Sequence, residues 1–363
     1  MIDFIPLEYY TPVYYYFLLV IILFTFINVQ NKNINSAEDT LFIKNIGILL
    51  MIFIIPYMGL RPVEGRYFGD TYTYGEYFKD YQNGADILTG SDYLFHLFTK
   101  ICSKVMTVHV YFLTCALLYI IPLYNVCKTW FKNYWGYALL FLIASFSFWA
   151  GGTNGVRSAI ATSFILLAFS KKSVFYKIFW FVLAIGFHKS MLLLVGAYCL
   201  SLVVKNPKWY FYGWLLCIPL SLIAAGFWET FFAGLIEDER AGYLTAGNVG
   251  DDEFSRSGFR WDFLLYSAAA VYAAFYFIYK KKFVDDNYFR LVSIYLTVNA
   301  FWILVIRANF SNRFAYLSWF MMGIIIIYPL LKKNVLPNQL KVIGSILVAY
   351  FGFTFLMNVI LAN

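Results

Sequence analysis

Stretches of roughly 17 to 20 apolar residues recur from one end of this chain to the other, with short polar gaps between them, and each is long enough to cross a ~30 Å hydrocarbon core as a helix. Lipid offers the backbone of such a stretch no hydrogen-bond partner, so it must satisfy itself by coiling. With 61% of its 363 residues hydrophobic and only 13% charged, a water-soluble globular fold is excluded. The expectation is an all-α polytopic integral membrane protein, residues 1–363 forming a single transmembrane domain without a soluble one.

The first apolar run, about Thr11 to Val29, follows Asp3 and Glu8 instead of a basic segment, and no small-residue cleavage site comes after it. It reads as a mature transmembrane helix. Apolar runs and loop charges together predict about twelve crossings, near 12–29, 41–60, 109–127, 134–150, 155–170, 174–187, 189–204, 209–227, 261–279, 288–306, 313–331 and 341–360. The segment "SDYLFHLFTKICSKVMT", 91–107, is too polar to span and reads as an interfacial or re-entrant helix.

Counting sides alternately gathers Lys32, Lys44, Lys128, Lys171, Lys172 and most later lysines on one face, which the positive-inside rule makes cytoplasmic. The net charge of +8 is therefore read as topology and not as a nucleic-acid surface. Both termini and the loops 61–108 and 228–260 then fall outside. Arginine does the opposite: Arg61, Arg66, Arg157, Arg240, Arg256, Arg260, Arg307 and Arg313 fall outside, and only Arg290 inside. Orientation is served by either cation, whereas guanidinium adds a planar fork that grips phosphate or carboxylate through two parallel bonds. Arg157, Arg260, Arg307 and Arg313 also stand at helix boundaries, where an ionisable group points to function. The split predicts an anionic substrate held at the outer face.

The first outer loop, rich in Tyr and Gly, carries Arg66, Asp70, Tyr74 and Phe78, and helical spacing after Gly69 would bring Asp70, Tyr74 and Phe78 to one face. Asp70 near Arg66 is a candidate general base or a helix cap. The second outer loop holds the acidic runs Glu237, Asp238, Glu239 and Asp251, Asp252, Glu253, which read as solvated loop residues more readily than as metal ligands. In "AIGFHKSMLLL", His188 and Lys189 sit at the outer end of a tight helical hairpin, and imidazole is the usual proton shuttle near neutral pH. His96 and His109 form no ligand set with it. The five cysteines lie in or beside apolar helices in no CxxC or Cys/His spacing. No GxxxxGK[ST], GxGxxG or GxSxG occurs, so ATP hydrolysis and cofactor chemistry have no support, and with the acidic runs read as solvated no metal is expected.

The pieces "RYFGDTYTYGEYF", "GGTNGVRSAIATSFILLAFS", "AIGFHKSMLLL", "RWDFLLYS" and "NRFAYLSWF" occur in that order between about residues 60 and 320. In this the chain resembles the EpsG family of bacterial exopolysaccharide proteins, a branch of the Wzy-type polymerases. The resemblance implies a class C glycosyltransferase-like helical architecture in the bacterial cytoplasmic membrane. It implies a polymerase of undecaprenyl-diphosphate-linked repeat units in O-antigen, capsule or exopolysaccharide assembly, acting without a metal, with inversion at the anomeric carbon, beside a protein partner that sets chain length. Under that expectation Arg157, Arg260 and Arg313 hold the leaving diphosphate, with Arg307 and Arg66 behind them. Asp70, His188 and Asp262 compete as the base, and Tyr74, Lys189 and Asn154 stand close by in sequence. A lipid-linked oligosaccharide flippase and a membrane acyltransferase remain the alternatives.

Overall fold

The computed structural model describes residues 2–30, 32, 36–88, 90, 92–234, 258–308 and 311–361. Every regular element among them is helical. In chain order they are α1 (Leu7–Val29), α2 (Ala37–Gly59), α3 (Gly65–Phe68), α4 (Thr71–Gln82), α5 (Tyr93–Val105), α6 (Val108–Phe131), α7 (Trp135–Ile143), α8 (Phe146–Thr153), α9 (Val156–Ser170), α10 (Val174–Phe187), α11 (Met191–Val203), α12 (Pro207–Ala233), α13 (Trp261–Phe275), α14 (Asp286–Leu304), α15 (Ser311–Trp319), α16 (Met322–Lys332) and α17 (Gln339–Phe355).

Among the described residues, 7 helical stretches are long and apolar enough to cross a membrane: Leu7–Val29, Ala37–Gly59, Val108–Ile143, Pro207–Ala233, Trp261–Lys280, Ser311–Lys332 and Gln339–Ile360. The chain is a multi-pass helical membrane protein. Three of the expected crossings are shorter apolar helices, α9, α10 and α11. At ~1.5 Å per residue each reaches only about 20 Å, less than a full hydrocarbon core.

The run expected as one crossing near 134–150 is two helices, because Ser145 turns extended (ψ 147°) between α7 and α8. A break at this depth frees carbonyls that lipid cannot satisfy. Here the Ile143 carbonyl accepts from the Tyr14 hydroxyl (3.1 Å) and that of Ala144 from Thr354 (3.0 Å), so the interruption is held by side chains of α1 and α17. Within the segment 91–107, Tyr93–Val105 forms the 13-residue amphipathic α5.

The chain divides into two compact units, Met1–Met191 with Leu330–Asn363, and Leu192–Pro329. In the first, α1 lies against α17, α2 against α6 and α7, and α9 between α6 and α10, while α5 packs on α4 and α10. Small residues allow the close approaches that hold helices together in lipid. A Cβ at Gly136 of α7 would run into the Ile43 carbonyl of α2. In the second unit α12 packs on α14, and a buried polar network spans its helices. Trp214 Nε1 donates to Asn299 Oδ1 (2.7 Å), Asn299 Nδ2 to Ser318 Oγ (3.0 Å), and Trp319 Nε1 to Ser267 Oγ (2.7 Å).

Candidate active site

In the first unit, Arg157 is the second residue of α9 and His188 is the residue that ends α10. These helices are antiparallel neighbours joined by a three-residue turn, so the start of one and the end of the other lie side by side. Between them comes Asp92, the residue just before α5. Arg157 Nη1 donates to Asp92 Oδ2 at 2.9 Å, His188 Nδ1 lies 3.2 Å from the same oxygen, and the Lys189 backbone N–H donates to Asp92 Oδ1 at 2.8 Å. The Asp92 side chain is 0% exposed, whereas those of Arg157 and His188 are 27% and 15% exposed. One fully buried anion thus holds two partly accessible functional groups.

Tyr74 and Phe95 flank the guanidinium, their ring centroids 5.6 and 6.0 Å from its carbon. Tyr74 is buried, and burial pushes its phenol up, so it stays neutral. Nearby, Tyr81 Oη is bonded to His96 Nδ1 (2.9 Å), and burial, with Arg157 adding to it, pushes His96 down, which leaves that imidazole uncharged at neutral pH. Arg157 Nε is buried and donates to no described residue. Because Arg157 stands in the first turn of α9, the positive end of that helix adds to its charge, and the local field favours an anion.

The expected face of Asp70, Tyr74 and Phe78 forms as α4, with Tyr74 and Phe78 buried and Asp70 half-buried at its N-cap. The Asp70 backbone N–H donates to Asn154 Oδ1 at 2.8 Å, which ties the loop to the turn just before Arg157. Gly69 permits this tie. Its φ of 55° with ψ −123° suits only glycine, and a Cβ there would run into Asn154 Oδ1. Gly69→Ala is expected to cost about 2 kcal/mol of stability or more, seen as a lowered unfolding midpoint in detergent together with reduced activity at temperatures where the variant is folded.

Arg61, counted with the outer arginines, has a structural place. It is buried and donates to the Met58 carbonyl (2.6 Å), the Thr153 carbonyl (3.1 Å) and Thr71 Oγ1 (2.6 Å), pinning the first loop to the end of α8. Burial pushes its guanidinium down to about 10, still charged at neutral pH. Arg66 is exposed beside the Tyr67 ring. Lys189 contributes its backbone N–H to Asp92.

In the second unit Arg260 grips Asp262 through two bonds, Nε to Oδ1 at 2.9 Å and Nη2 to Oδ2 at 2.7 Å, and lies over the Phe263 ring. Both Asp262 oxygens therefore accept from a cation, which makes Asp262 a poor base. Arg307 follows α14 and Arg313 lies in α15, both exposed. Arg240, Arg256 and the two acidic runs of the second outer loop lie outside the described residues.

Sequence reading missed Asp92, the centre of the cluster. An acid before a short amphipathic helix looks like any N-cap, yet the Asp92 side chain makes no cap bond and turns instead to partners 65 and 96 residues away. The one local signal is that this acid opens a helix too polar to span.

Comparison with curated proteins and with solved structures returned no match. The family model described as EpsG family matches residues 49–363, most of the chain and all of the Asp92 cluster. The chain belongs to the EpsG family, a glycosyltransferase-like family of polysaccharide biosynthesis.

Proposed function

We propose that this protein polymerises lipid-diphosphate-linked oligosaccharide repeat units at the outer face of the bacterial cytoplasmic membrane. The observation that carries this reading is the pairing of a guanidinium and an imidazole on one buried carboxylate, at the ends of two short helices. If the Lys171–Lys172 turn lies at the cytoplasmic surface, helices of about 20 Å leave Arg157 and His188 recessed below the opposite one. A polyprenyl diphosphate would have to draw its charged group below headgroup level to meet them, where a fixed cation offsets the cost of leaving water.

The reaction requires a hydroxyl oxygen of the acceptor glycan to bond to the anomeric carbon of the donor. The bond from that carbon to the diphosphate oxygen breaks, and the diphosphate leaves with the electron pair. Arg157 stabilises the charge that grows on the leaving oxygens, and a fixed cation does this without reorganisation as the bond breaks. His188 takes the hydroxyl proton through Nε2. Attack from the face opposite the departing diphosphate inverts the anomeric carbon. Arg66 is the second cation of the first unit in this reading. Arg260, Arg307 and Arg313 enter it from the sequence alone, and Asp70 is the rival base.

The test uses purified full-length protein in nanodiscs with its undecaprenyl-diphosphate-linked repeat unit and EDTA. A ladder of products growing by one repeat unit is the expected result. Folded protein that yields no ladder from the authentic substrate would overturn the polymerase reading and move weight to lipid-linked oligosaccharide transport.

A further inference from the structure

We infer that Asp92 is a positioning residue that sets the proton-accepting nitrogen of His188 and aims Arg157, so that the base and the cation of the proposed reaction are aligned by one carboxylate. The inference rests on the polymerase reading for its chemistry, but its geometry stands apart from it. An ionised carboxylate can only accept. In the neutral His188 ring the proton facing Asp92 Oδ2 therefore sits on Nδ1, and Nε2 carries the lone pair that can take a proton from a hydroxyl. The Lys189 N–H on Oδ1 fixes the carboxylate plane, and Arg157 Nη1 shares Oδ2 with the imidazole. Among the described residues, donors from Arg157, His188 and Lys189 meet these two oxygens, and both oxygens are in use.

The backbone points the same way. Asp92 has φ 54° and ψ 38°, the left-handed conformation, as the residue before α5. Among L residues with side chains, Asp and Asn adopt it most readily. The ordinary reason for an acid at such a place, capping the helix, is absent, since its side chain makes no cap bond. The conformation turns the carboxylate towards α9 and α10.

Asp92→Asn separates charge from shape, because asparagine tolerates the same backbone and has nearly the same volume. Its amide has one acceptor where the carboxylate has two. If the oxygen keeps the Lys189 N–H, the NH2 group faces Arg157 and His188 Nδ1, so the imidazole must accept there and carry its proton on Nε2. If the amide flips, two donors meet at Lys189. Either arrangement breaks the alignment.

Selective 15N labelling of the three histidines in wild-type protein, with His188 assigned by its loss in His188→Asn, reads the tautomer by NMR in the neutral form of the ring. Protonation at Nδ1 is expected. Protonation at Nε2 overturns the inference without any Asp92 variant having to fold. In turnover with the lipid-diphosphate-linked repeat unit, Asp92→Asn is expected to lower kcat at least about tenfold with KM changed less than about threefold. A folded variant with wild-type kcat overturns it, and so does an effect confined to KM. Should wild type make no polymer while His188 shows the Nδ1 proton, the polymerase reading fails and the Asp92–His188 pairing stands.

Discussion

Arg157→Lys is expected to remove about 99% or more of polymer-forming activity, a loss of about 3 kcal/mol of transition-state stabilisation, while leaving the protein folded. Lysine is chosen over alanine for a structural reason. The Asp92 side chain is 0% exposed, and taking away its cation outright would strand a buried anion at a cost of about 3 to 5 kcal/mol. An ammonium keeps that charge balanced. It cannot keep the division of labour, in which Nη1 is occupied by Asp92 while the rest of the planar fork lies between the Tyr74 and Phe95 rings. A lysine bound to Asp92 has spent its point charge there. The readout is the initial rate of ladder formation, beside the thermal unfolding midpoint of the same preparation. A folded Arg157→Lys within about threefold of wild type would return Arg157 to the role of a structural counter-ion for Asp92.

How much of this was legible in the sequence depends on the range of the interaction. Helices follow from apolar runs, since each satisfies its own backbone, and α4 and α5 lie where spacing and polarity place them. Arg157, His188 and Lys189 stand out because a costly charge or imidazole marks an otherwise apolar segment. Breaks inside apolar runs are less visible. The α7–α8 interruption depends on hydroxyls of Tyr14 and Thr354, far away in sequence. Asp92 and Arg61 show the same limit from opposite sides. A loop acid that looks like a cap is the centre of the site, and an arginine that sequence groups with the outer set is consumed by two carbonyls and a threonine. Composition tells which residues are costly in a membrane, and only the tertiary partner tells what offsets the cost.

His188→Asn is expected to lower kcat by about 100- to 1,000-fold with little change in KM, the range for loss of a general base. Asparagine is the informative replacement because its Nδ2 occupies nearly the position of the imidazole Nδ1. It keeps a donor to Asp92 Oδ2 and so preserves the pairing that holds Arg157, while removing the nitrogen that exchanges a proton. With Asp262 held by Arg260, the companion variant Asp70→Asn discriminates between the other two bases that the sequence left open. The Asp70 backbone is tied to Asn154, a bond its own side chain does not make, so the loop keeps its anchor when the carboxylate becomes an amide. If His188→Asn is slow and Asp70→Asn stays within about threefold of wild type, the proton goes to the imidazole. The reverse pattern would assign it to Asp70 and leave His188 as a hydrogen-bond donor to the diphosphate. Equal, severe losses in both would mean that the acceptor hydroxyl is bound by one residue and deprotonated by the other. Single-turnover rates measured at saturating acceptor tell these apart, since loss of a binding contact is recovered at high acceptor concentration and loss of the base is not.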